Sequence, residues 1–230
     1  MAADISPRLT SDQPFVQLDR VSRKYGAFRL ALSDANLTIY RSEFVLVIGG
    51  SGAGKSTLLR LAGAIEAPSS GRVRIGGEDP ARMRPNALAF LRRSIGNVMQ
   101  EPLLLDRRSV LENVMLPAIA SNQTRREAVE RARAALNRVR FEDLDALPGE
   151  LASGARQRVA LARAIVNRPA LLLVDDPISR FDAAAANNML QLLEQFAISG
   201  VTVLLASQRE PERLPARARL IRIDNGVLTQ

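Results

Sequence analysis

A glycine-rich stretch of this chain has the residue types and spacing of a phosphate-binding loop: Gly49, Gly50, Ser51, Gly52, Ala53, Gly54, Lys55 and Ser56. Glycine allows the backbone to curl around phosphate oxygens without a Cβ in the way. Successive N–H groups, at the N-terminus of a following helix, then face the anion. In this pattern the lysine reaches the β- and γ-phosphates and the serine hydroxyl coordinates Mg²⁺. We therefore predict a nucleoside triphosphate site, with MgATP as the expected ligand and Thr57 as a further contact.

A second candidate is the apolar run Leu171–Val174, which is followed by two carboxylates, Asp175 and Asp176. In a phosphate-loop fold such a strand end places an acidic group beside the Mg²⁺, so Asp175 is the expected metal-side residue, acting directly or through water. Asp176 lies where a carboxylate could activate a water molecule. The alternative is a plain strand end, because Asp176-Pro177 is itself a turn-forming pair.

The composition limits the chemistry that is open to such a site. The 230 residues include no Cys and no His, so thiolate ligands, imidazole ligands and an imidazole base are excluded. Acid–base and metal chemistry must therefore use carboxylates, hydroxyls, amides or lysine. The net charge of +8 fits either a solvated basic surface or an anionic partner. With 4% aromatic residues and no Trp, no specific nucleic-acid partner is expected.

Short apolar runs alternate with longer helical patterns, which predicts an α/β fold with a mostly parallel core sheet and a small antiparallel sheet near the start. The expected strands are Phe15–Asp19, Phe28–Leu32, Asn36–Tyr40, Phe44–Ile48, Arg72–Ile75, Ile95–Met99, Leu171–Asp175, Val201–Ala206 and Arg219–Ile223. The expected helices are Lys55–Ile65, Gln157–Asn167 and Ala183–Phe196. Within a mostly helical stretch from 110 to 145, a capping box formed by Thr124 and Glu127 predicts another helix start.

The length and hydrophobicity fit one domain over residues 15–230, with a helical subdomain inserted at 101–150. Residues 1–14 are polar, contain two prolines and are expected to form a flexible tail. No signal peptide and no apolar run near the ~20 residues of a membrane span are present. The chain is therefore expected to be soluble and cytoplasmic, docked at most on a membrane partner.

The order of several further motifs is more specific than the phosphate loop alone. After the loop come Arg92–Gln100 (RRSIGNVMQ), Glu150–Pro169 (ELASGARQRVALARAIVNRP), Leu171–Pro177 and Ser179–Asp182. This order resembles the ATP-binding subunits of ABC transporters from about residue 15 onward. Within that family the stretches Phe90–Gly96 and Asp106–Val114 are most similar to the FtsE group of cell-division ATP-binding proteins. The ATPases of lipoprotein exporters and amino-acid importers are the alternatives.

The resemblance implies roles for residues outside the loop. Tyr25 matches the aromatic residue that stacks on adenine, and the less favoured alternative is a core tyrosine at a strand end. Gln100 matches the Q-loop glutamine, which contacts Mg²⁺ or water and senses the membrane partner. The segment Leu151–Gln157 matches the signature motif, which closes over the γ-phosphate bound to a second subunit. Asp182 matches the aspartate of the D-loop at the dimer interface, and Gln208 stands at the position of the switch histidine.

Three of the motifs depart from the family pattern: the signature, the catalytic carboxylate and the switch residue. The signature Leu-Ser-Gly-Gly is here Leu151–Gly154 (LASG), so Ala152 lacks the hydroxyl and Ser153 replaces a glycine. A one-residue slip could let Ser153, with Gly154, supply the phosphate contact. Asp176 replaces the catalytic glutamate, and Gln208 cannot share a proton as imidazole does. Since the binding residues are intact, we expect an ATPase of reduced turnover whose catalytic candidates are Asp176, Gln208 and Lys55.

The resemblance implies a nucleotide-sandwich homodimer and an integral membrane partner. In an FtsE-like system that partner is FtsX-like, and the complex controls cell-wall hydrolases from the inner face of the plasma membrane. A second hypothesis is an ATP-gated structural or interaction module with little or no hydrolysis. A GTPase or small-molecule kinase is disfavoured because neither class explains the segment Leu151–Pro169.

Overall fold

The computed structural model describes residues 14–26, 29–179 and 181–229. The expected flexible tail lies outside these residues except for Pro14, which begins the first strand. The start of the strand expected at Phe28 also lies outside them.

The small sheet is antiparallel and has three strands in the order β2-β1-β4. They are β1 (Pro14–Tyr25), β2 (Arg29–Tyr40) and β4 (Ser70–Ile75). The prediction of two strands at Phe28–Leu32 and Asn36–Tyr40 is wrong, because one strand runs through both. The middle of β2 is irregular: Asp34 has φ +46°, and the pairing with β1 shifts register there. The residues on both sides of this irregularity still pair with β1, so the strand is continuous.

The core sheet has six strands in the order β5-β6-β7-β3-β8-β9, parallel except for the final β8–β9 hairpin. The strands are β3 (Phe44–Ile48), β5 (Ile95–Val98), β6 (Leu171–Asp175), β7 (Thr202–Ser207), β8 (Ala218–Asp224) and β9 (Val227–Thr229). Every residue of β3, β6 and β7 is buried, which is why these strands are mostly apolar in sequence.

Six helices connect or flank the strands among the described residues. They are α1 (Lys55–Ala62), α2 (Pro85–Arg93), α3 (Val110–Ala120), α4 (Arg125–Arg138), α5 (Ser153–Ile165) and α6 (Ala183–Ile198). Two short 3₁₀ turns lie at Pro80–Arg82 and Pro148–Glu150. Helix α5 begins four residues before the expected Gln157, and α2 was not predicted. None of the described helices combines the length and hydrophobicity needed to cross a bilayer.

The core sheet divides the buried residues into two clusters, one on each face. Phe44 and Leu46 of β3 point to the face covered by α3, α4, α5 and α6. Val45 and Val47 point to the other face, which is covered by α1 and the small sheet. The chain therefore forms three layers, as expected for an α/β fold.

This topology gathers the candidate residues at one edge of the core sheet. The strands β3, β6 and β7 are parallel neighbours, so their carboxyl ends lie side by side. The phosphate loop follows β3, Asp175 and Asp176 end β6, and Gln208 follows β7. Ligands of open α/β sheets bind at such carboxyl ends.

The helices of the 101–150 region begin at capping boxes. The predicted box at Thr124 and Glu127 is present before α4, with both reciprocal hydrogen bonds. A second box, formed by Ser109 and Glu112, begins α3 and was not predicted. Each box satisfies backbone N–H groups that the first helical turn leaves free.

Asn113 holds the loop that leads from Gln100 into α3. It is fully buried, and its Nδ2 donates to the carbonyl oxygens of Leu105, Arg108 and Ser109 at 3.0–3.1 Å. Its Oδ1 accepts from the Leu105 N–H at 2.7 Å. A single side chain thus hydrogen-bonds to several backbone groups of a loop that has no regular secondary structure.

Replacement of Asn113 by alanine should therefore lower the free energy of unfolding by about 2–3 kcal/mol, because buried loop groups lose their partners. Urea denaturation followed by circular dichroism measures this loss. Asn137→Ala on the exposed side of α4 is the control and should stay within about 0.5 kcal/mol of the parent. Equal effects of the two substitutions would contradict the role given to Asn113.

Candidate nucleotide site

The phosphate loop is shaped by contacts that exclude side chains at two of its glycines. A Cβ on Gly49 would lie 2.3 Å from the carbonyl oxygen of Ile223, and a Cβ on Gly54 would lie 2.3 Å from that of Ala31. Gly54 also has φ +112°, which side chains rarely adopt. By contrast, a Cβ on Gly50 would meet no atom within 4 Å, so that side of the loop is open to a ligand.

The loop is also tied to the strands around it by backbone hydrogen bonds. The Gly49 N–H donates to the carbonyl oxygen of Ser207 at the end of β7, at 3.3 Å. The Gly226 N–H, in the β8–β9 turn, donates to the carbonyl oxygen of Ala53 at 2.9 Å. The loop is thus held in its curled shape by the chain itself.

Lys55 places its charge inside this curl. Its Nζ donates to the carbonyl oxygens of Gly49 and Gly50, both at 2.7 Å, and the residue is only 6% exposed. Burial lowers the pKa of the Lys55 amine, and the charges of Asp176 and Asp175 partly oppose that shift. The ammonium group therefore lies where the predicted phosphates need a cation, next to the open side of the loop.

Ser56 and Asp175 form the predicted metal-side pair. The Ser56 hydroxyl lies beside the Asp175 carboxylate, which is 8% exposed. Burial raises the pKa of Asp175, and the nearby Ser56 hydroxyl and the charge of Lys55 only partly counter this. A hydroxyl and a carboxylate oxygen are hard ligands of the kind Mg²⁺ takes together with substrate phosphates, so the residues fit that ion.

Asp176 lies between Gln100 and Gln208, so the structure brings these three predicted residues together. Its Oδ1 accepts from the Gln208 backbone N–H at 3.3 Å, and its Oδ2 lies 3.5 Å from the Gln100 Nε2. Asp176 is 4% exposed and has φ +45°, an uncommon conformation for a residue with a side chain. The side chain of Gln208 is exposed, and the bond to Asp176 comes from its main chain.

The signature segment lies at the start of α5. Ala152 occupies the N-cap and provides no side-chain cap, whereas Ser153 is already the first helical residue. Ser153 therefore follows the N-cap by one residue. Ser153 lines a cavity of about 360 Å³ together with Gln100 and Asp176, and Gly154 packs near Phe181.

Tyr25 lies at the end of β1, beside α1. Its hydroxyl donates to Glu66 Oε2 at 2.5 Å, accepts from the Nη2 of Arg60 at 3.1 Å and lies 3.4 Å from Thr57 Oγ1. The Arg23 guanidinium covers its ring at 4.7 Å from the centroid. The predicted adenine contact is thus next to the phosphate-loop helix, in a polar network that the sequence did not predict.

Asp182, which was predicted at the dimer interface, acts within this chain as the N-cap of α6. Its Oδ1 accepts from the Ala185 N–H at 2.7 Å. It also lines a cavity of about 430 Å³ with Gly154 and Arg158, so the start of α6 and the signature segment share one surface.

A parallel sheet, a glycine loop that leads into a helix, and an acidic strand end beside that helix define a P-loop nucleotide-binding fold. The comparison with known sequences is more specific, since the ABC transporter family profile matches residues 32–179. The chain belongs to the ABC transporter family and is an ATP-binding domain of that family. Domains of this family bind ATP with Mg²⁺ and pair with integral membrane subunits.

Relatives of different named functions are similar to this chain at nearly equal identity. The lipoprotein-releasing system ATP-binding protein LolD of Chromohalobacter salexigens is 37% identical, with 100% of this chain and 99% of LolD aligned. The cell division ATP-binding protein FtsE of Escherichia coli is 39% identical over 84% of this chain and 87% of FtsE. The macrolide export ATP-binding/permease protein MacB of Rhodospirillum rubrum is 38% identical over 94% of this chain but 34% of MacB.

A solved structure supports the fold. The dimeric structure of MJ0796, a bacterial ABC transporter cassette, superposes with a TM-score of 0.86 at 31% identity. The superposition covers 94% of this chain and 97% of that one.

The uncapped start of α5 gives a direct test of the helix register. Ala152→Ser should raise the free energy of unfolding by about 1 kcal/mol, because a serine N-cap satisfies a free N–H of the first turn. Ser153→Ala is the matched control and should stay within about 0.5 kcal/mol of the parent. Urea denaturation measures both. A larger loss for Ser153→Ala than gain for Ala152→Ser would show that Ser153 caps the helix.

Proposed function

We propose that this chain binds MgATP at the loop Gly49–Ser56 and works as the ATP-binding subunit of a membrane complex. The observation that carries the proposal is the buried Lys55 ammonium, held inside the loop by the carbonyl oxygens of Gly49 and Gly50, with Asp175 beside it. These groups and the Ser56 hydroxyl supply a cation for the β- and γ-phosphates and two oxygen ligands for Mg²⁺. Gln100 is the proposed third ligand, and Tyr25 the residue that stacks on adenine.

The proposed reaction is slow hydrolysis of ATP to ADP and phosphate. An attacking water needs a carboxylate that is free to orient it. Asp176 is one methylene shorter than glutamate, and both of its oxygens are already near donors from Gln100 and Gln208. Ala152 supplies no hydroxyl to the γ-phosphate, and Gln208 replaces the proton-sharing histidine. Binding is therefore favoured over turnover.

Steady-state ATPase assays on the purified chain test this proposal. We expect turnover well below about one per second, and an increase of at least about 10²-fold for the double variant Asp176→Glu/Gln208→His, since a positioned base contributes about that much. Adding Lys55→Ala to either protein should return the rate to background. Parent turnover of one per second or faster, or no gain in the double variant, would contradict the proposal.

The proposed assembly is a homodimer with two nucleotides in its interface and an integral membrane subunit that contacts the helical subdomain at 101–150. The MJ0796 dimer and the shared surface of Asp182 and Gly154 support the dimer. In this proposed assembly the chain is cytoplasmic and peripheral on the inner face of the plasma membrane. No specific nucleic-acid partner is proposed.

The proposed biological setting is cell division with an FtsX-like partner, as in FtsE. The stretches Phe90–Gly96 and Asp106–Val114 and the 39% identity to FtsE support it. The LolD relative aligns over the whole of this chain, which favours a lipoprotein-releasing complex as the second candidate. The alteration of Ala152, Asp176 and Gln208 also favours an ATP-gated structural module, which the same ATPase assay distinguishes.

The neighbouring reading frame separates these settings. A four-span membrane protein with a large external loop after the first span is expected for the cell-division complex. Co-expression of that protein with a tagged copy of this chain should then yield a complex that survives purification in detergent with MgATP. Any other architecture in that frame, or failure to co-purify, would count against the FtsX-like partner.

A further inference from the structure

The carboxylate of Glu66, which follows α1, contacts three side chains: Arg60 of α1, and Arg23 and Tyr25 at the end of β1. The Arg60 Nε lies 2.7 Å from its Oε1, in an ion pair. The Arg23 Nε donates to its Oε2 at 3.1 Å, and the Tyr25 hydroxyl donates to the same oxygen at 2.5 Å. The side chain of Glu66 is 21% exposed, so the cluster is largely shielded from water.

The network reaches the phosphate-loop helix through Arg60. Its Nη2 donates to the Tyr25 hydroxyl at 3.1 Å and to Thr57 Oγ1 at 3.3 Å. Thr57 directly follows the metal-side Ser56. The position of the Tyr25 ring is therefore fixed relative to the helix that begins at the phosphate loop.

Arg23 and Arg60 can lie this close together because the negative charge of Glu66 offsets the repulsion between them. Burial raises the pKa of Glu66, but the bond from Tyr25 and the charges of Arg60 and Arg23 outweigh it and hold that pKa below its usual range. The carboxylate is thus ionised at neutral pH and separates two guanidinium groups that would otherwise repel each other.

The cluster also leaves only one face of the Tyr25 ring for a ligand. The Arg23 guanidinium lies over the ring, 4.7 Å from its centroid, in a cation–π contact. A base that stacks on Tyr25 must therefore use the opposite face, and the ring must stay in place for that stacking to contribute to affinity.

We propose that Glu66 is a positioning residue for nucleotide binding, which holds the Tyr25 ring for the base through Arg23 and Arg60. This inference rests on the proposed stacking of adenine on Tyr25. Without the carboxylate, the Tyr25 hydroxyl loses its acceptor, the two arginines separate and the ring gains rotamer freedom. Ordering such a side chain on binding weakens affinity about fivefold to tenfold.

The test compares a ligand that has a base with one that has none. Dissociation constants for ATP and for inorganic tripolyphosphate, each with Mg²⁺, are measured by calorimetry on the parent and on Glu66→Ala. We expect ATP to bind about fivefold to tenfold more weakly to the variant and tripolyphosphate to change less than twofold. The affinity ratio of the two ligands is a readout that general destabilisation does not move.

Glu43→Ala is the matched control because it breaks another partly buried ion pair, that between Glu43 and Arg219 at 2.6 Å. Glu43 precedes β3, whereas the phosphate loop follows it, so the control lies about 17 Å from the site at ~3.3 Å per residue. Both ligands should bind the control within twofold of the parent. Glu66→Gln, which keeps an acceptor for Tyr25 but not the charge, should have an intermediate effect and covers the case in which Glu66→Ala unfolds.

Tyrosine fluorescence gives a second readout, since the chain has no Trp and only two Tyr. In a Tyr40→Phe background Tyr25 is the sole emitter. A hydrogen bond to a carboxylate quenches tyrosine emission, so Glu66→Ala should brighten the ligand-free protein.

Tyr25→Leu separates failure of this inference from failure of the proposed stacking. If Tyr25→Leu leaves ATP affinity unchanged, the stacking itself is wrong. If it weakens ATP binding while Glu66→Ala does not, the stacking stands and the role of Glu66 is overturned. Equal weakening of ATP and tripolyphosphate in Glu66→Ala would also overturn it, because Glu66 would then act on the phosphate loop. The double variant Tyr25→Leu/Glu66→Ala should bind ATP no more weakly than Tyr25→Leu alone, since both substitutions remove the same stacking interaction.

Discussion

The shape of the phosphate loop depends on how closely the backbones of β2 and β8 approach its glycines. The carbonyl oxygens of Ala31 in β2 and Ile223 in β8 each lie 2.3 Å from where a Cβ of Gly54 or Gly49 would be. Any side chain at either glycine would force the loop away from the two sheets. Because this contact fixes the curl, the Lys55 amine points into it and α1 begins with its N–H groups toward the open side. The two sheets thus serve as one rigid support for the loop.

The loop and the strand end beside it carry two groups, Lys55 and Asp175, whose charged forms are unfavourable in the absence of a ligand. Burial shifts the pKa of Lys55 down and that of Asp175 up, so each charged form is disfavoured in the free protein. A carboxylate whose folded pKa is raised favours folding only at low pH, and that contribution is lost as pH rises through the raised pKa. The ionised form of Asp175 therefore lowers stability, which a bound cation would offset. The positive φ of Asp176 is a further local strain at the same edge.

The sequence predicts the parts of the molecule in which local pattern and tertiary role agree. The bounds of β3 and β6 are confirmed because both faces of these strands are buried, and the capping box at Thr124 marks a true helix start. The start of α5 was missed because Ala152 gives no N-cap signal. The loop residues and Asp175 follow from short motifs, whereas Glu66 lies 41 positions from Tyr25 and no spacing rule connects them. Such long-range polar pairs are decided by the packing of α1 against β1.

The proposed difference between nucleotide binding and hydrolysis rests on how the two sets of residues are held. Lys55 and Asp175, the proposed binding groups, are positioned by the start of α1 and the end of β6. The proposed hydrolysis needs Asp176 to face a water molecule, yet in this structure its carboxylate is directed toward Gln100 and Gln208. Water must compete with these internal donors for a carboxylate that is already one methylene short. The proposed loss of turnover therefore rests both on the short reach of Asp176 and on the partners that its carboxylate already has.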